Sequence, residues 1–364
     1  MTKPRARDIG IPFDGKPGQY NAITDIPGVT VGFTTLIRGN ATLTDLNQEP
    51  VIRTGVTAIR PRGENPDPVY AAWYSLNGCG EMTGTSWVEE SGFLYGPVML
   101  TNTFSVGVVH QATIDWVLRS YPVPFGLPVV TETYDGFLNH IRGFHIQPEH
   151  ISHSLDSAKS GLLLEGNVGG GTGMICYDFK GGTGSSSRQV EIGSRTFTIG
   201  SLVQANHGSR HQLMIAGVPI GKEITELMPH RPPPTQQTRN SSIVVIIATD
   251  LPLLPHQLKR LARRVPLGLA RTGAVSEYSS GDIFLAFSTS EAGPEDENGI
   301  RSQLVFNDWK MDPFYEALEQ SVEESIINTL IAAETMEGVN QNKVYALPKD
   351  RLRGILKKYN RLIF

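Results

Sequence analysis

The sequence predicts an α/β protein whose sheets are covered by helices, and three observations carry that expectation. Up to about residue 220, short apolar runs rich in β-branched residues alternate with glycine and other turn formers, the pattern of many short strands. A proline-rich stretch at 229–238 then makes the sharpest composition break in the chain. Beyond it the order becomes strand, helix, strand, helix.

Taken in order, the strand-like runs are "GVTVGFTTL", "VTAIRP", "GPVMLTN", "SVGVVH", "GLPVV", "FTIGSLVQAN" and "LMIAGVPIG". The clearest helical pattern among them is "HQATIDWVLRSY". The break, within a linker at about 229–240, reads as surface chain because prolines withhold backbone donors and favour extended conformations. Residues 243–248, "IVVIIA", are continuously apolar, as expected for a strand buried on both faces. In "PHQLKRLARRV", Leu258, Leu261, Ala262 and Val265 recur at helical spacing. "DIFLAFSTS" is the next strand. Asp312 and Pro313 open a helix in which Phe314, Leu318, Val322, Ile326 and Leu330 recur every four residues, with Gly338 as its expected stop. A basic helix around Arg351 to Tyr359 is expected to lie on the surface.

Composition narrows the function. With 39% hydrophobic and 19% charged residues, 38 glycines and 24 prolines, the 364-residue chain is globular and rich in tight turns. A net charge of −4 gives no basic face for nucleic acid. No apolar run reaches membrane-helix length, and the basic start "MTKPRARDIG" has no apolar core of signal-peptide length behind it, so a cytoplasmic protein with no membrane partner is expected. Cys79 and Cys176 form no metal-type spacing and are expected to be buried thiols. The nine histidines form no metal motif; His207 and His211 are four apart, but an intervening glycine argues against a helical ligand pair. No metal or other cofactor is expected.

Ser241 and Ser242 stand between the proline-rich linker and the buried strand. One explanation is a turn; the other is that the chain is cut there. A serine hydroxyl needs a base to attack at neutral pH, and no G-x-S-x-G elbow or local Ser/His pairing supplies one. A serine at a chain terminus carries its own base, an α-amino group with a pKa of about 7.7–8.0. The same hydroxyl can make that terminus by adding to the preceding carbonyl. The acyl group moves from nitrogen to oxygen, and water releases the ester.

Seven further stretches decide between the two. "NAITDIPGVTVGFTTLI", "NGCGEMTGTSWVEESGFLYGPVMLTNT", "TETYDG", "EGNVGGGTGM", "LVQANHGSRHQLMIAGVPIG", "SIVVIIATDLPLLPHQLKRLARR" and "SSGDIFLAFSTS" follow one another in the order found in a known family. Together they resemble the L-aminopeptidase/D-Ala-esterase-amidases and β-peptidyl aminopeptidases. That resemblance implies an N-terminal-nucleophile hydrolase: a single α/β domain, an αββα four-layer sandwich of unusual connectivity. It also implies self-cleavage into an α chain, 1–241, and a β chain, 242–364, assembled as αβ units into homo-oligomers, expected to be tetramers.

Carried over by position, Ser242 matches the family nucleophile, because it opens "SIVVIIATD". Ser241 stands where relatives place glycine or asparagine, so cleavage before Ser241 stays open as an alternative. Ser280, in "SGD", resembles a second serine that hydrogen-bonds the nucleophile and its amine. Asp282 replaces a carboxylate that is glutamate in some relatives, a side chain shorter by one methylene. It is expected to hold the α-amino proton and orient Ser280. Asn206 matches an asparagine that donates its side-chain amide to the tetrahedral oxyanion, an interaction commonly worth about 3–4 kcal/mol. Tyr134 matches a tyrosine near the scissile carbonyl, and Glu132 a carboxylate that receives the substrate's ammonium. On an extended segment positions 132 and 134 share a face.

Other candidates point elsewhere. "GNVGGGTG" resembles a dinucleotide loop, but its glycine spacing is wrong and no ribose-binding acid follows, so a backbone role is expected. Glu81, Glu89 and Glu90 could pair as in glycoside chemistry; their context suggests structure or subunit contact. The functional expectation is a self-processing aminopeptidase, amidase or esterase that releases small L-, D- or β-amino acids from short peptides, amides and esters. An endo-acting amide hydrolase, an acyltransferase and a non-catalytic homologue are the rivals. A carboxylate at 132 favours the exo-acting enzyme, since an endo-acting one has no free amine to bind.

Overall fold

A computed structural model describes residues 3–41, 49–121, 126–230, 241–291, 296–300 and 302–363. Its strands are β1 (Thr30–Arg38), β2 (Ile52–Arg60), β3 (Val69–Ser75), β4 (Phe93–Leu94), β5 (Val98–Asn102), β6 (Val129–Thr133), β7 (Ile175–Cys176), β8 (Phe179–Lys180), β9 (Gly182–Ile192), β10 (Arg195–Asn206), β11 (Ser242–Thr249) and β12 (Gly281–Ser288). Its helices are α1 (Thr85–Ser91), α2 (Val106–Ser120), α3 (Pro148–Asp156), α4 (Ile220–Glu223), α5 (Pro255–Ala262), α6 (Val265–Arg271), α7 (Asp312–Ala332) and α8 (Lys349–Lys358). The two large sheets run in the orders β1-β2-β5-β6 and β4-β3-β12-β11-β10-β9; β7 and β8 form a separate two-stranded sheet, and Met336–Glu337 pairs with Lys343–Val344 in another. Among the described residues, no helix is long and apolar enough to cross a membrane.

Side-chain alternation builds the layers. Along β11, Val244, Ile246 and Ala248 join Val31, Ile59, Leu100 and Val129 of the four-stranded sheet in one core. Their neighbours Ile243, Val245 and Ile247 face the other way, into a core with Leu258, Leu261, Leu269, Val322 and Ile326 of α5, α6 and α7. A third core packs Val56, Ala58 and Met99 against Val109 and Trp116 of α2 and Ile151 and Leu155 of α3. Helices, sheet, sheet, helices: the αββα sandwich is present, and β11 lies at its centre.

Most of the expected elements form, and the exceptions have local causes. "SVGVVH" is not a strand but the cap and first turn of α2, because Val109, Ala112, Thr113, Trp116 and Val117 bury one helical face. "LMIAGVPIG" makes no strand either. Ile215 and Val218 exchange backbone hydrogen bonds around Ala216 and Gly217, both at positive φ, and α4 follows. The long helix ends at Ala332, well before Gly338. There the Asn167 side chain bonds both the N–H and the C=O of Glu334, giving that backbone partners outside the helix. Cys176 is buried as expected, but Cys79 is exposed, on a loop that crosses the ends of β3 and β12. In the expected linker, residues 231–240 lie outside the described residues.

Candidate active site

Sheet register brings the site together. Ser242 opens β11, pairing with Asn206 at the end of antiparallel β10 and with Gly281 at the start of parallel β12. Parallel pairing sets the beginnings of two strands side by side, so hydroxyl and carboxylate converge without a long loop. Ser241 and Ser242 are both buried. The Ser242 hydroxyl donates to the Ser241 carbonyl at 2.6 Å. The Gly281 N–H reaches both oxygens, at 3.1 Å from Ser242 Oγ and 3.2 Å from Ser241 O. A hydroxyl, a carbonyl and a main-chain donor thus share one corner.

Asp282 gathers the groups around that corner. Its Oδ1 accepts from Ser280 Oγ at 2.5 Å and from the Ile243 N–H at 3.2 Å, while Oδ2 accepts from Asn77 Nδ2 at 3.1 Å. Burial raises its pKa, opposed by the hydrogen bonds from Ser280, Ser276, Ile243 and Asn77. Among the described residues no lysine or arginine pairs with it. The Ser280 hydroxyl is directed to that carboxylate.

Asn206 is fixed at both ends of its amide. Oδ1 accepts from the Ile175 N–H at 2.8 Å and Nδ2 donates to the Tyr134 carbonyl at 3.0 Å. Tyr134 therefore reaches the site through its main chain. Its ring folds over Gly136, where any Cβ would meet the phenol oxygen at 2.3 Å, and packs edge-on to Phe104 at 6.5 Å. Two residues earlier, Glu132 is buried in β6, accepting from the Glu81 N–H at 3.1 Å and from the Thr103 hydroxyl. Burial raises its pKa against those hydrogen bonds. Gly80 joins the two halves of the site, because a Cβ there would lie 3.2 Å from Gly281 Cα and 3.4 Å from Glu132 Oε1.

Residues 21–344 match peptidase family S58. The chain belongs to peptidase family S58. Its relatives include the β-peptidyl aminopeptidases BapA of Sphingosinicella microcystinivorans, 50% identical over 99% of this chain and 93% of that protein, and of Sphingosinicella xenopeptidilytica, 46% identical over 98% and 92%. Among solved structures, the L-aminopeptidase D-Ala-esterase/amidase of Ochrobactrum anthropi, described as a prototype serine aminopeptidase and a new variant of the Ntn hydrolase fold, superposes with a TM-score of 0.91. It is 47% identical, covering 99% of this chain and 100% of that one. A Burkholderia sp. β-aminopeptidase gives 0.86 at 42% identity, over 98% and 99% of the two chains. The S58 chain thus has the N-terminal-nucleophile fold of a serine-type peptide hydrolase, with aminopeptidase and amidase chemistry.

The remaining candidates take structural places in this S58 protein. Gly169, Gly170 and Gly171 are wedged between the sheets, where a Cβ would fall 2.2 Å from Thr57 Oγ1, 2.1 Å from Gln204 Oε1 and 2.3 Å from the Thr183 nitrogen. The loop is close-packed backbone with no room for a nucleotide. Glu89 pairs with Lys259 across the surface and Glu90 is exposed, while Glu81 meets the site through its main chain, its N–H donating to Glu132 and its carbonyl accepting from Thr131. His207 is buried beside Cys176 and His211 is exposed. Among the described residues no group of three His, Cys, Asp or Glu could hold a metal. Sequence reasoning missed Asn77 and the Gly281 N–H. Asn77 opens the recognised "NGCGEMTG" stretch but was assigned no role, and Gly281 contributes only backbone; those two motifs, "NGCGEMTG" and "SGD", were the available signals.

Proposed function

We propose that the chain cuts itself between Ser241 and Ser242, and that the new terminal serine then releases small N-terminal residues from short peptides, amides and esters. The observation that carries this reading is the corner formed by Ser242 Oγ, the Ser241 carbonyl and the Gly281 N–H. Addition of Oγ to that carbonyl would place negative charge on an oxygen already facing a main-chain donor. Cleavage would free an α-amine next to Asp282, which has the acceptor and the raised pKa to hold its proton. Asn206 would donate to the oxyanion in each later turnover.

Glu132 supports the exo-acting form of this reading. A buried carboxylate without a cation is stabilised by an arriving ammonium, which an internal peptide bond does not carry. Beside it Phe104 and Phe144, both exposed, stack at 6.4 Å and continue the Tyr134 ring, an apolar wall suited to small side chains without selecting one. The names of the relatives cover β-amino acids, L-amino acids and D-alanine derivatives, and this site takes substrate from that group. The expected assembly is a tetramer of αβ units, checked by light scattering.

Denaturing mass spectrometry of purified protein tests the central step. Two chains are expected, the smaller beginning at Ser242. A smaller chain beginning at Ser241 moves the cut by one residue, and an active protein that stays whole overturns the reading.

A further inference from the structure

We infer that the buried Lys180 ammonium is a positioning residue for this reaction, acting through one peptide group on the side-chain amide of Asn206. The inference rests on the reading of Asn206 as the oxyanion donor. Lys180 ends β8, directly opposite Ile175 in the short β7–β8 hairpin, whose turn residues Tyr177 and Asp178 both have positive φ. The lysine is fully buried, and its Nζ donates to the Met174 carbonyl at 2.9 Å and the Gly181 carbonyl at 3.0 Å.

The Met174 carbonyl and the Ile175 N–H belong to the same peptide group. Lys180 and the Gly181 N–H both donate to the oxygen of that group, each at 2.9 Å. From its other side the Ile175 N–H donates to Asn206 Oδ1 at 2.8 Å. A positive charge therefore sits at one end of a hydrogen-bonded chain that runs through a peptide and a carboxamide to the Asn206 Nδ2 protons. Each link polarises the next, so the charge makes the Asn206 amide a stronger donor where the oxyanion forms. One Nδ2 proton goes to the Tyr134 carbonyl, which sets the plane of the amide.

A lysine kept only for packing would not need its charge in a dry interior. Burial lowers its pKa to about 7, with Lys3 acting in the same direction and the Cys176 thiol and Asp135 carboxyl opposing. Asp135 is itself buried and raised to about 7, foremost by burial and against hydrogen bonds from Thr54 and Asn139. The polarising charge therefore titrates in the working range and fades as pH rises past about 7.

The test uses the full-length, self-processed protein as wild type, Lys180→Met, Asn206→Ala and the double variant, with alanine p-nitroanilide as substrate. Complete loss of an oxyanion donor costs about 10²–10³-fold in kcat, so loss of its polarisation is expected to cost about tenfold. KM should be unchanged, and the alkaline fall in kcat centred near pH 7 should disappear. Lys180→Met should add nothing in the Asn206→Ala background, whereas a merely structural role would multiply. A folded Lys180→Met with wild-type kcat and pH profile overturns the inference alone. An Asn206→Ala variant with wild-type kcat overturns the oxyanion reading beneath it. Should Lys180→Met not fold, wild-type protein labelled with ¹⁵N at asparagine decides. A shift of the Asn206 side-chain resonance with a midpoint near pH 7 supports the relay, and an invariant resonance overturns it.

Discussion

Two hydroxyl-rich interiors share the six-stranded sheet, and they differ in what their carboxylates hold. Between β9, β10 and α7, Ser185 Oγ donates to the Ser201 carbonyl at 2.7 Å and Ser186 Oγ to the Ser321 carbonyl at 2.6 Å. Ser201 and Ser325 share a 2.8 Å hydrogen bond. The carboxylate there, Glu324, bonds Arg188 at 2.6 Å, Arg7 at 2.9 Å and Asn21 at 2.6 Å. Burial alone would raise its pKa, but Arg188 and Arg7 hold it below the usual range. At the starts of β11 and β12, the donors to Asp282 among the described residues are all neutral, and its pKa is raised by burial. Glu132 is in the same condition. The difference teaches how to tell structure from chemistry in a polar interior: Glu324 has its cations built in, whereas Asp282 and Glu132 are the carboxylates for which a liberated amine and a substrate ammonium are proposed.

The largest expected effect breaks the Asp282 region at its nucleophile. Ser242→Ala should leave one uncut chain on a denaturing gel and reduce alanine p-nitroanilide hydrolysis by about 10⁴-fold or more. A cut chain in that variant would assign the break to Ser241 or to another protease. Next, Asp282→Asn keeps the shape but loses the proton acceptor. Self-cleavage and kcat should slow by roughly 10²-fold, the lower range for general acid–base catalysis, with little change in Tm. Glu324→Gln should invert that pattern. It strands the buried Arg188 and should cost about 3–5 kcal/mol in denaturant unfolding, while kcat of the folded fraction holds. Because the folded pKa of Glu324 is depressed, its contribution is present above the unfolded carboxylate pKa and disappears as pH falls through the folded value. Acid unfolding of wild type should therefore contain a component that Glu324→Gln lacks.

Glu132→Gln should separate binding from processing. Losing a charge-assisted contact of about 1.5–3 kcal/mol should raise KM roughly 10- to 150-fold, with the chain still cut. Loss of cleavage would contradict the assigned role. The smallest effect sharpens the boundary of the region. Ser241→Ala keeps the carbonyl that Ser242 Oγ and Gly281 face, so cutting should continue with Ser242 as the new terminus in N-terminal sequencing. An abolished cut would move the nucleophile to Ser241.

What was legible in the sequence follows from where a residue's neighbours come from. β11 could be read directly, because burial on both faces demands an unbroken apolar run, and α7 because its apolar residues, four apart, face one core. The β-branched run at 106–110 misled, since valines suit either element and only the burial of Trp116 and Val117 further along sets the helical period. The β7–β8 hairpin was invisible because its turn, Tyr177 and Asp178, lacks glycine and asparagine. Ser242, Ser280, Asp282, Asn206, Tyr134 and Glu132 were proposed as site residues through motif resemblance. The hydrogen bonds made by Asn77, Gly281 and Lys180 were not legible, because backbone donors and long-range contacts leave no local pattern.

The position of β11 has one further consequence. It is hydrogen-bonded to β10 on one side and β12 on the other, and β12 in turn pairs with β3. A break before Ser242 would leave one sheet shared by two polypeptides, the shorter supplying its central pair β12-β11 and the longer the strands on both flanks. Once melted apart, they would face a bimolecular search for a register that the precursor found within a single chain. Heat inactivation of the processed form should therefore be irreversible, while the uncut Ser242→Ala chain refolds: maturation works as a ratchet.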